Sequence, residues 1–238
     1  MAAIRSFLFA IFFYGGTVPA VLLSFPISLF GNKAIRGWAH LWARYHGLCA
    51  RFLLGVRTVV EGTPPRGACL VACKHQAMFE TLEIIPMLDE PATVLKRELA
   101  DIPFWGWVTR RYGVIPVDRQ GGAAALRRMM RAAEAAIAEG RPIVIFPEGM
   151  RSESGTILTF RGGIGMIGSR LDVPVVPVRI DGADHVLHPT WKMARPGTVH
   201  VTFGAPMRLR GDEYSELAAQ VEHAVRSLGP RAPAPGDS

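Results

Sequence analysis

Four short blocks of the 238-residue chain carry residue types that could do chemistry. In the first, the apolar run Cys69 to Cys73 opens onto Lys74, His75 and Gln76, and Glu80 follows His75 by five positions. In one unbroken helix that spacing holds the two side chains about 140° apart, at ~100° per residue, and they would not meet. If His75 instead lies in a turn before a helix that starts near Ala77, Glu80 can swing back to the imidazole as the orienting partner of a general base, with Glu83 as the nearest competitor. A histidine at a strand end is otherwise often purely structural. The second block is Lys96-Arg97-Glu98 with Ile115-Pro116-Val117-Asp118-Arg119, cations at strand exits that suit an anionic ligand or simply solvate a turn. The third, Phe146-Pro147-Glu148-Gly149-Met150-Arg151-Ser152, leaves a buried apolar run. There Gly149 permits close backbone approach, and Arg151 offers a planar fork of donors for phosphate. The fourth, Val173 to Val178, is an apolar strand carrying Pro174 and Pro177, which argues for a sheet edge or a bend beside a cleft.

Other patterns are set aside. Gly163-x-Gly165-x-x-Gly168 matches a dinucleotide fingerprint, but no strand immediately precedes it, so these glycines are read as allowing close helix packing. His185, His188 and His200 lie without a convincing ligand set, so no metal is expected, and no serine sits in a GxSxG elbow. Cys49, Cys69 and Cys73 form neither a CxxC pair nor an even set. A reducing, cytosolic active domain fits them.

The elements that must position these blocks follow from periodicity. Seven apolar runs read as strands: 58–60, 69–73, 93–95, 114–117, 143–146, 175–180 and 199–203. Helical patterns at 77–88, 122–139, 163–171 and 212–228 alternate with them, which predicts an α/β fold with a largely parallel mixed sheet covered by helices. Ahead of it, Ser6 to Phe30 runs for 25 residues without a charge. As a helix at ~1.5 Å per residue it reaches about 37 Å, more than a ~30 Å hydrocarbon layer. A cleaved signal peptide fits poorly, because the stretch is too long and no small-x-small site closes it. Gly15, Gly16, Pro19 and Pro26 leave a bent or shallow insertion as open as a straight span.

Next, Ile35, Trp38, Trp42, Tyr45, Cys49 and Phe52 recur at helical spacing opposite Lys33, Arg36, His40, Arg44 and Arg51. That pattern suits either a lipid headgroup surface or packing on the protein's own domain. The net charge of +7 is concentrated here: six basic residues precede the first acid, Glu61, leaving 21 basic against 20 acidic residues in the remainder. Such a distribution points to anionic lipid rather than nucleic acid, and by the positive-inside rule it sets everything after Lys33 in the cytoplasm. Three parts are therefore expected: membrane-anchoring helices over 1–55, a catalytic domain over 56–228, and a loose Pro- and Gly-rich tail over 229–238.

Taken in order, the four blocks resemble those of the lysophosphatidic acid acyltransferase family, the 1-acylglycerol-3-phosphate O-acyltransferases. His75 to Glu80 is similar to its H-x-x-x-x-D block, with Glu in place of Asp, and the apolar N-terminus is similar to its two-helix membrane anchor. The resemblance implies an enzyme moving an acyl chain from acyl-CoA or acyl carrier protein to the sn-2 hydroxyl of 1-acylglycerol 3-phosphate, with no cofactor beyond that co-substrate. It implies His75 as base and Glu80 as its partner; Lys96 and Arg151 at the acceptor phosphate, with Glu148 and Gly149 shaping that pocket; and Pro147, Ser152, Val175 and Pro177 along the cleft wall. It also implies a location at a membrane with anionic lipids, the inner membrane if the source is bacterial, and an active site on the cytoplasmic face. Acylation of another lysophospholipid or of a lyso-ornithine lipid, or a non-catalytic lipid-binding role at a membrane surface, are the alternatives.

Overall fold

The computed structural model describes residues 2–118, 121–152, 156–187 and 194–229. The expected tail falls, from residue 230 on, outside the described residues, as do Arg119 and His188. Seven strands form one sheet: β1 (Val56–Glu61), β2 (Leu70–Cys73), β3 (Ala92–Lys96), β4 (Ile115–Val117), β5 (Ile143–Ile145), β6 (Val175–Asp181) and β7 (Gly197–Phe203). Their spatial order is β1-β7-β6-β2-β5-β3-β4, and every pairing is parallel except β6 with β7. The fold is the expected one. β2 and β5 read Leu-Val-Ala-Cys and Ile-Val-Ile without a polar residue because both faces of these central strands are covered, and every one of their residues is buried.

Parallel neighbours require crossovers, and helices supply them. α3 (Phe79–Glu83) follows β2; α4 (Arg97–Ala100) and α5 (Trp105–Tyr112) join β3 to β4; α6 (Gly122–Ala138) joins β4 to β5; α7 (Gly163–Leu171) leads into β6; and α8 (Ala183–Val186) and α9 (Tyr214–Ser227) follow β6 and β7. Because β2, β3 and β5 are parallel, their carboxyl ends share one edge of the sheet. Open α/β sheets gather ligands at such an edge. Between α4 and α5, the Trp105 N–H bonds the Pro103 carbonyl at 2.7 Å and the intervening Phe104 has φ 62°. This is a γ-turn of the strained kind, and for a bulky residue it costs about 1–3 kcal/mol.

Two of the expectations are corrected by the sheet. β6, read as an edge or a bend, is an interior strand between β7 and β2. Pro177 is tolerated there because its carbonyl accepts from the Gly204 N–H at 2.8 Å, on the β7 side, just where the β7 ladder stops at Val178↔Phe203. The missing donor therefore faces an irregular return, not a ladder. Val175, read as cleft wall, pairs with Leu70 at the opposite end of β2 from His75 and lies wholly buried in the core.

The N-terminal segment forms an antiparallel helical hairpin on one face of the sheet: α1 (Ala2–Phe30), a turn at Gly31 with φ 90°, and α2 (Asn32–Cys49) with a further turn at Ala50–Leu54. Of the two helices expected to anchor the chain, one, α1, is long and apolar enough to cross a membrane, whereas α2 is amphipathic. Most of the aromatic residues read as possible lipid anchors on α2 instead hold α1. Trp38 Nε1 donates to the Ala20 carbonyl (2.8 Å), Trp42 Nε1 to Thr17 Oγ1 (3.0 Å) and the Tyr45 hydroxyl to the Phe12 carbonyl (2.5 Å). Gly16 makes room for this, since a Cβ there would come within 2.6 Å of Tyr45 Oη.

Arg36, read with the lipid-facing cations, is buried and turned inward. Its guanidinium bonds the Tyr112 carbonyl, Glu90 and Glu139. Lys33, Arg44 and Arg51 do remain exposed. Both ends of α1 touch the body of the protein, through Arg5 to the Leu54 carbonyl (3.3 Å), Ser6 Oγ to the Ala194 N–H (2.9 Å), and the Phe25 ring stacked on Trp107 at 4.5 Å.

Candidate active site

β2 ends its ladder where the Lys74 N–H donates to the Val178 carbonyl at 3.0 Å, and the chain then runs through a non-helical turn before α3 starts at Phe79. Glu80, in the first turn of α3, reaches back over that turn. Its Oε1 accepts from the Gln76 N–H (2.6 Å), the Ala77 N–H (2.7 Å) and His75 Nδ1 (2.9 Å). An acidic side chain turned back on the amides at a helix start is a favourable placement for negative charge. Here it also solves the five-residue spacing, because His75 precedes the helix instead of lying in it.

Glu80 is fully buried, while 17% of the His75 side chain stays exposed. A carboxylate only accepts, so Nδ1 carries the imidazole proton and Nε2 is left with its lone pair. The Phe146 ring, 4.5 Å from the imidazole centroid, packs against it. Glu83 faces elsewhere: it bonds His46 Nδ1 (3.1 Å) on α2 and Thr58 Oγ1 (3.0 Å), which removes it as a competitor for His75.

The third block clamps the backbone of His75 from both sides. Glu148 Oε1 accepts the His75 N–H at 3.0 Å, and its other oxygen accepts the Leu158 N–H at 3.0 Å. The Ser152 N–H (2.8 Å) and Oγ (3.2 Å) both donate to the His75 carbonyl. Glu148, expected at the phosphate pocket, is therefore buried with both oxygens committed to main-chain amides, and a free anion beside it would be repelled. Pro147 is buried under the loop, its carbonyl accepting from the Arg161 N–H (3.1 Å). Gly149 has φ 74°, a conformation that any side chain would strain, and this lets the loop turn sharply between the two clamps.

Arg151 is exposed and immediately precedes Ser152, so it emerges beside His75. Lys96 is exposed at the end of β3, two strands from β2 and thus about 10 Å across the sheet at ~4.8 Å per strand. Among the described residues no hydrogen bond or ion pair engages either cation. Pro177 is buried beside Ala72 on β2, behind the site.

Sequence reasoning missed a charged group directly beneath the site. Lys74 is fully buried with its Nζ 3.7 Å from Asp181 Oδ1, and Arg179 Nε holds the other Asp181 oxygen at 2.7 Å. Burial pushes the Lys74 ammonium below its usual pKa, and Asp181 partly opposes this. Strand alternation placed Lys74 on the same inward face as Leu70 and Ala72, so the signal was present. Gln76, also buried, accepts the Ala183 N–H at 3.2 Å and ties the turn to α8. Burial raises the Cys69 thiol to about 11 and the Cys73 thiol higher still, so neither supplies a thiolate at neutral pH.

Comparison with known proteins agrees with this geometry. A family model described as Acyltransferase matches residues 57–181, the span that holds β1 from Arg57, β2 through β6, and the contacts of His75 with Glu80, Phe146, Glu148 and Ser152. The 1-acyl-sn-glycerol-3-phosphate acyltransferase of Pseudomonas aeruginosa is 29% identical over 173 residues, 72% of this chain and 67% of that protein. The alpha form of the mouse enzyme of that name is 25% identical over 231 residues, 93% of this chain and 80% of the mouse protein. The crystal structure of the 1-acyl-sn-glycerophosphate (LPA) acyltransferase PlsC from Thermotoga maritima superposes with a TM-score of 0.74 at 27% identity, covering 98% of this chain and 99% of that one. A buried acid that fixes one tautomer of a partly exposed histidine, on a sheet and sequence span shared with these enzymes, places the chain in the Acyltransferase family.

Proposed function

We propose that this acyltransferase moves a fatty acyl chain from acyl-CoA or acyl carrier protein to the sn-2 hydroxyl of a 1-acylglycerol 3-phosphate, giving phosphatidate. The observation that carries the reading is the 2.9 Å contact of His75 Nδ1 with the buried Glu80 carboxylate, which leaves Nε2 free to act as base. In this mechanism Nε2 takes the hydroxyl proton as the oxygen attacks the thioester carbonyl, and Glu80 steadies the imidazolium. The tetrahedral intermediate, its oxyanion held by a nearby main-chain N–H, then expels thiolate, which recovers the proton from His75. Transfer is direct and calls on no cofactor. Its support against a cysteine acyl-enzyme is that Cys69 and Cys73 are buried and poor in thiolate.

The choice of acceptor is supported by the names of the relatives and by two cations, Lys96 and Arg151, that are unengaged among the described residues and stand at the histidine edge of the sheet. These would meet the acceptor phosphate, Arg151 through a bidentate fork. Membrane association is supported by α1, whose outward stripe of Ile4, Phe7, Ile11, Val18, Leu22 and Leu29 is at least half exposed in every member. Ser6 and Phe25, both in contact with the body of the protein, stand about 28 Å apart at 1.5 Å per residue, nearly a hydrocarbon thickness. Such a helix lies in the plane of one leaflet, with Lys33, Arg44 and Arg51 available to anionic lipid on what we take as the cytoplasmic face.

Purified protein given labelled acyl-CoA or acyl carrier protein and a panel of acceptors tests the reading. The panel comprises lysophosphatidate, glycerol 3-phosphate, lysophosphatidylethanolamine and lyso-ornithine lipid. Labelled phosphatidate as the main product is expected. Transfer confined to another acceptor would replace the substrate, and binding without transfer would remove the enzyme reading.

A further inference from the structure

His75 is flanked by two buried polar side chains that the transfer steps do not use, Lys74 and Gln76. Both reach across to one junction, the end of β6 and the start of α8. Lys74 Nζ lies 3.7 Å from Asp181 Oδ1, and Gln76 Oε1 accepts the Ala183 N–H at 3.2 Å. Glu148 and Ser152 hold the N–H and carbonyl of His75 itself. The main chain of the base is therefore gripped from the loop after β5 and, through its two neighbours, from β6 and α8.

Of these holds, Lys74 is the one that weakens the fold. Its side chain is wholly buried, and among the described residues its ammonium makes no hydrogen bond. A buried ammonium with unused donors is an unfavourable group, and an apolar side chain of similar length often serves stability better. The charged groups around it are Asp181 and Arg179 on β6, Glu148 in the loop after β5 and Asp184 on α8. Opposite Asp181 on β7 stands His200, its ring nitrogens buried and without a partner among the described residues. Asp181 is already secured by Arg179 Nε at 2.7 Å, so it does not need Lys74 to avoid being a bare buried charge. Glu148 differs. Its two oxygens accept the neutral N–H groups of His75 and Leu158, no ion pair engages it among the described residues, and Lys74 is a buried cation that acts on it through space.

We propose that Lys74 is a positioning residue for the transfer reaction: its buried ammonium, set against Asp181 and Glu148, holds the Glu148 carboxylate on the His75 N–H and so fixes the imidazole where the acceptor hydroxyl meets it. The inference rests on the acyl-transfer reading given above. A loss of stability retained beside the base is the kind of exchange found at functional sites. Burial, the largest influence, lowers the Lys74 pKa, and Asp181 opposes it. A lysine in the unfolded chain therefore keeps its proton to higher pH than Lys74 does. Between the two values the fold gains stability as pH rises, while the ammonium and its hold on Glu148 are lost.

The test compares the full chain with Lys74→Met, a side chain of similar length without charge. In steady-state transfer to the best acceptor of the panel, kcat should fall by about 10- to 100-fold with KM within about twofold of wild type, the scale of a slightly misplaced catalytic group. The melting temperature at neutral pH should equal or exceed that of wild type. A kcat within about twofold of wild type overturns the proposal. So does a loss of rate together with a clearly lower melting temperature, which makes Lys74 a structural strut.

The pH profile gives a second reading that a strut would not produce. Wild-type kcat should fall on the alkaline side, below the usual lysine range, and Lys74→Met should lack that fall. Over the same range the difference in melting temperature between the two proteins should close. An alkaline fall with the same midpoint in both overturns the positioning role. If wild type transfers to an acceptor and Lys74→Met matches it, the positioning role alone is removed; if wild type transfers to none, the proposed activity fails and the role with it.

Discussion

Glu80 Oε1 gathers three donors within 2.9 Å, two of them main-chain N–H groups fixed by the start of α3. That separates two contributions that usually travel together, the geometry of the imidazole and the charge behind it. A glutamine at this position can keep one oxygen facing all three donors, so Glu80→Gln preserves the tautomer and the turn while removing the charge that stabilises an imidazolium. We expect kcat to fall by about 10²- to 10⁴-fold with little change in KM, the range for disabling a general base. Steady-state kinetics with lysophosphatidate as acceptor decide it, and a kcat within a few-fold of wild type would reduce Glu80 to a turn-forming residue. The pair itself was legible from the run Cys69 to Glu80, given one structural condition, that His75 precede the helix. The role of Glu148 was not. An acid in a loop rich in Gly and Arg reads as part of an anion pocket, and only three-dimensional placement reveals that its two oxygens are spent on the amides of His75 and Leu158.

At the scale of elements, α7 packs on α9 through Gly165, the one of the three glycines read as allowing close helix packing that meets the facing helix. A Cβ on Gly165 would come within 2.2 Å of the Tyr214 carbonyl oxygen and 2.9 Å of Leu217 Cβ, main chain and a branch point that do not swing aside. A Cβ on Gly163, two residues earlier, meets nothing within 4 Å. Alanine is the better helix former by about 0.5–1 kcal/mol, so Gly163→Ala should raise the melting temperature slightly. Gly165→Ala should lower stability by about 1–3 kcal/mol, the cost of forcing packed elements apart. Thermal melts of the two variants check the contrast, and a harmless Gly165→Ala would mean that α9 is free to shift. Elsewhere periodicity misled for identifiable reasons. The helix read over 77–88 shrinks to Phe79–Glu83 followed by a tight turn at Ile85–Met87, because Glu80 draws the Gln76 and Ala77 amides out of the helix and Pro86 supplies no N–H. For α2 the apolar stripe was correctly located, but a stripe specifies a face and not what covers it. Trp38, Trp42 and Tyr45 serve α1 with the same residues that would serve a lipid surface.

For the whole molecule, the decisive relation is between α1 and the body it lies along. Composition alone leaves α1 equally able to cross a bilayer or to lie in one leaflet, since 25 uncharged residues satisfy both. The structure adds contacts at both ends of the helix: Arg5 and Ser6 on the segment around Leu54 and Ala194, and Phe25 on α5. A crossing helix would have to give up one set, and with it either two hydrogen bonds or an aromatic stack. It would also have to free the ladder of Trp38, Trp42 and Tyr45 bonds, or drag α2 across with the inward Arg36 and its two carboxylate partners. Moving charged groups into hydrocarbon is costly, several kcal/mol each on insertion scales. The in-plane arrangement therefore makes a topological prediction. With protein added to the outside of sealed vesicles, a protease-cleavable tag fused before Met1 should be cut by external protease as completely as a tag placed after Ser238, because both termini stay on the side of the catalytic domain. A tag at the N-terminus that is protected until detergent is added would mean that α1 crosses and that the contacts of Arg5 and Ser6 are lost on the membrane.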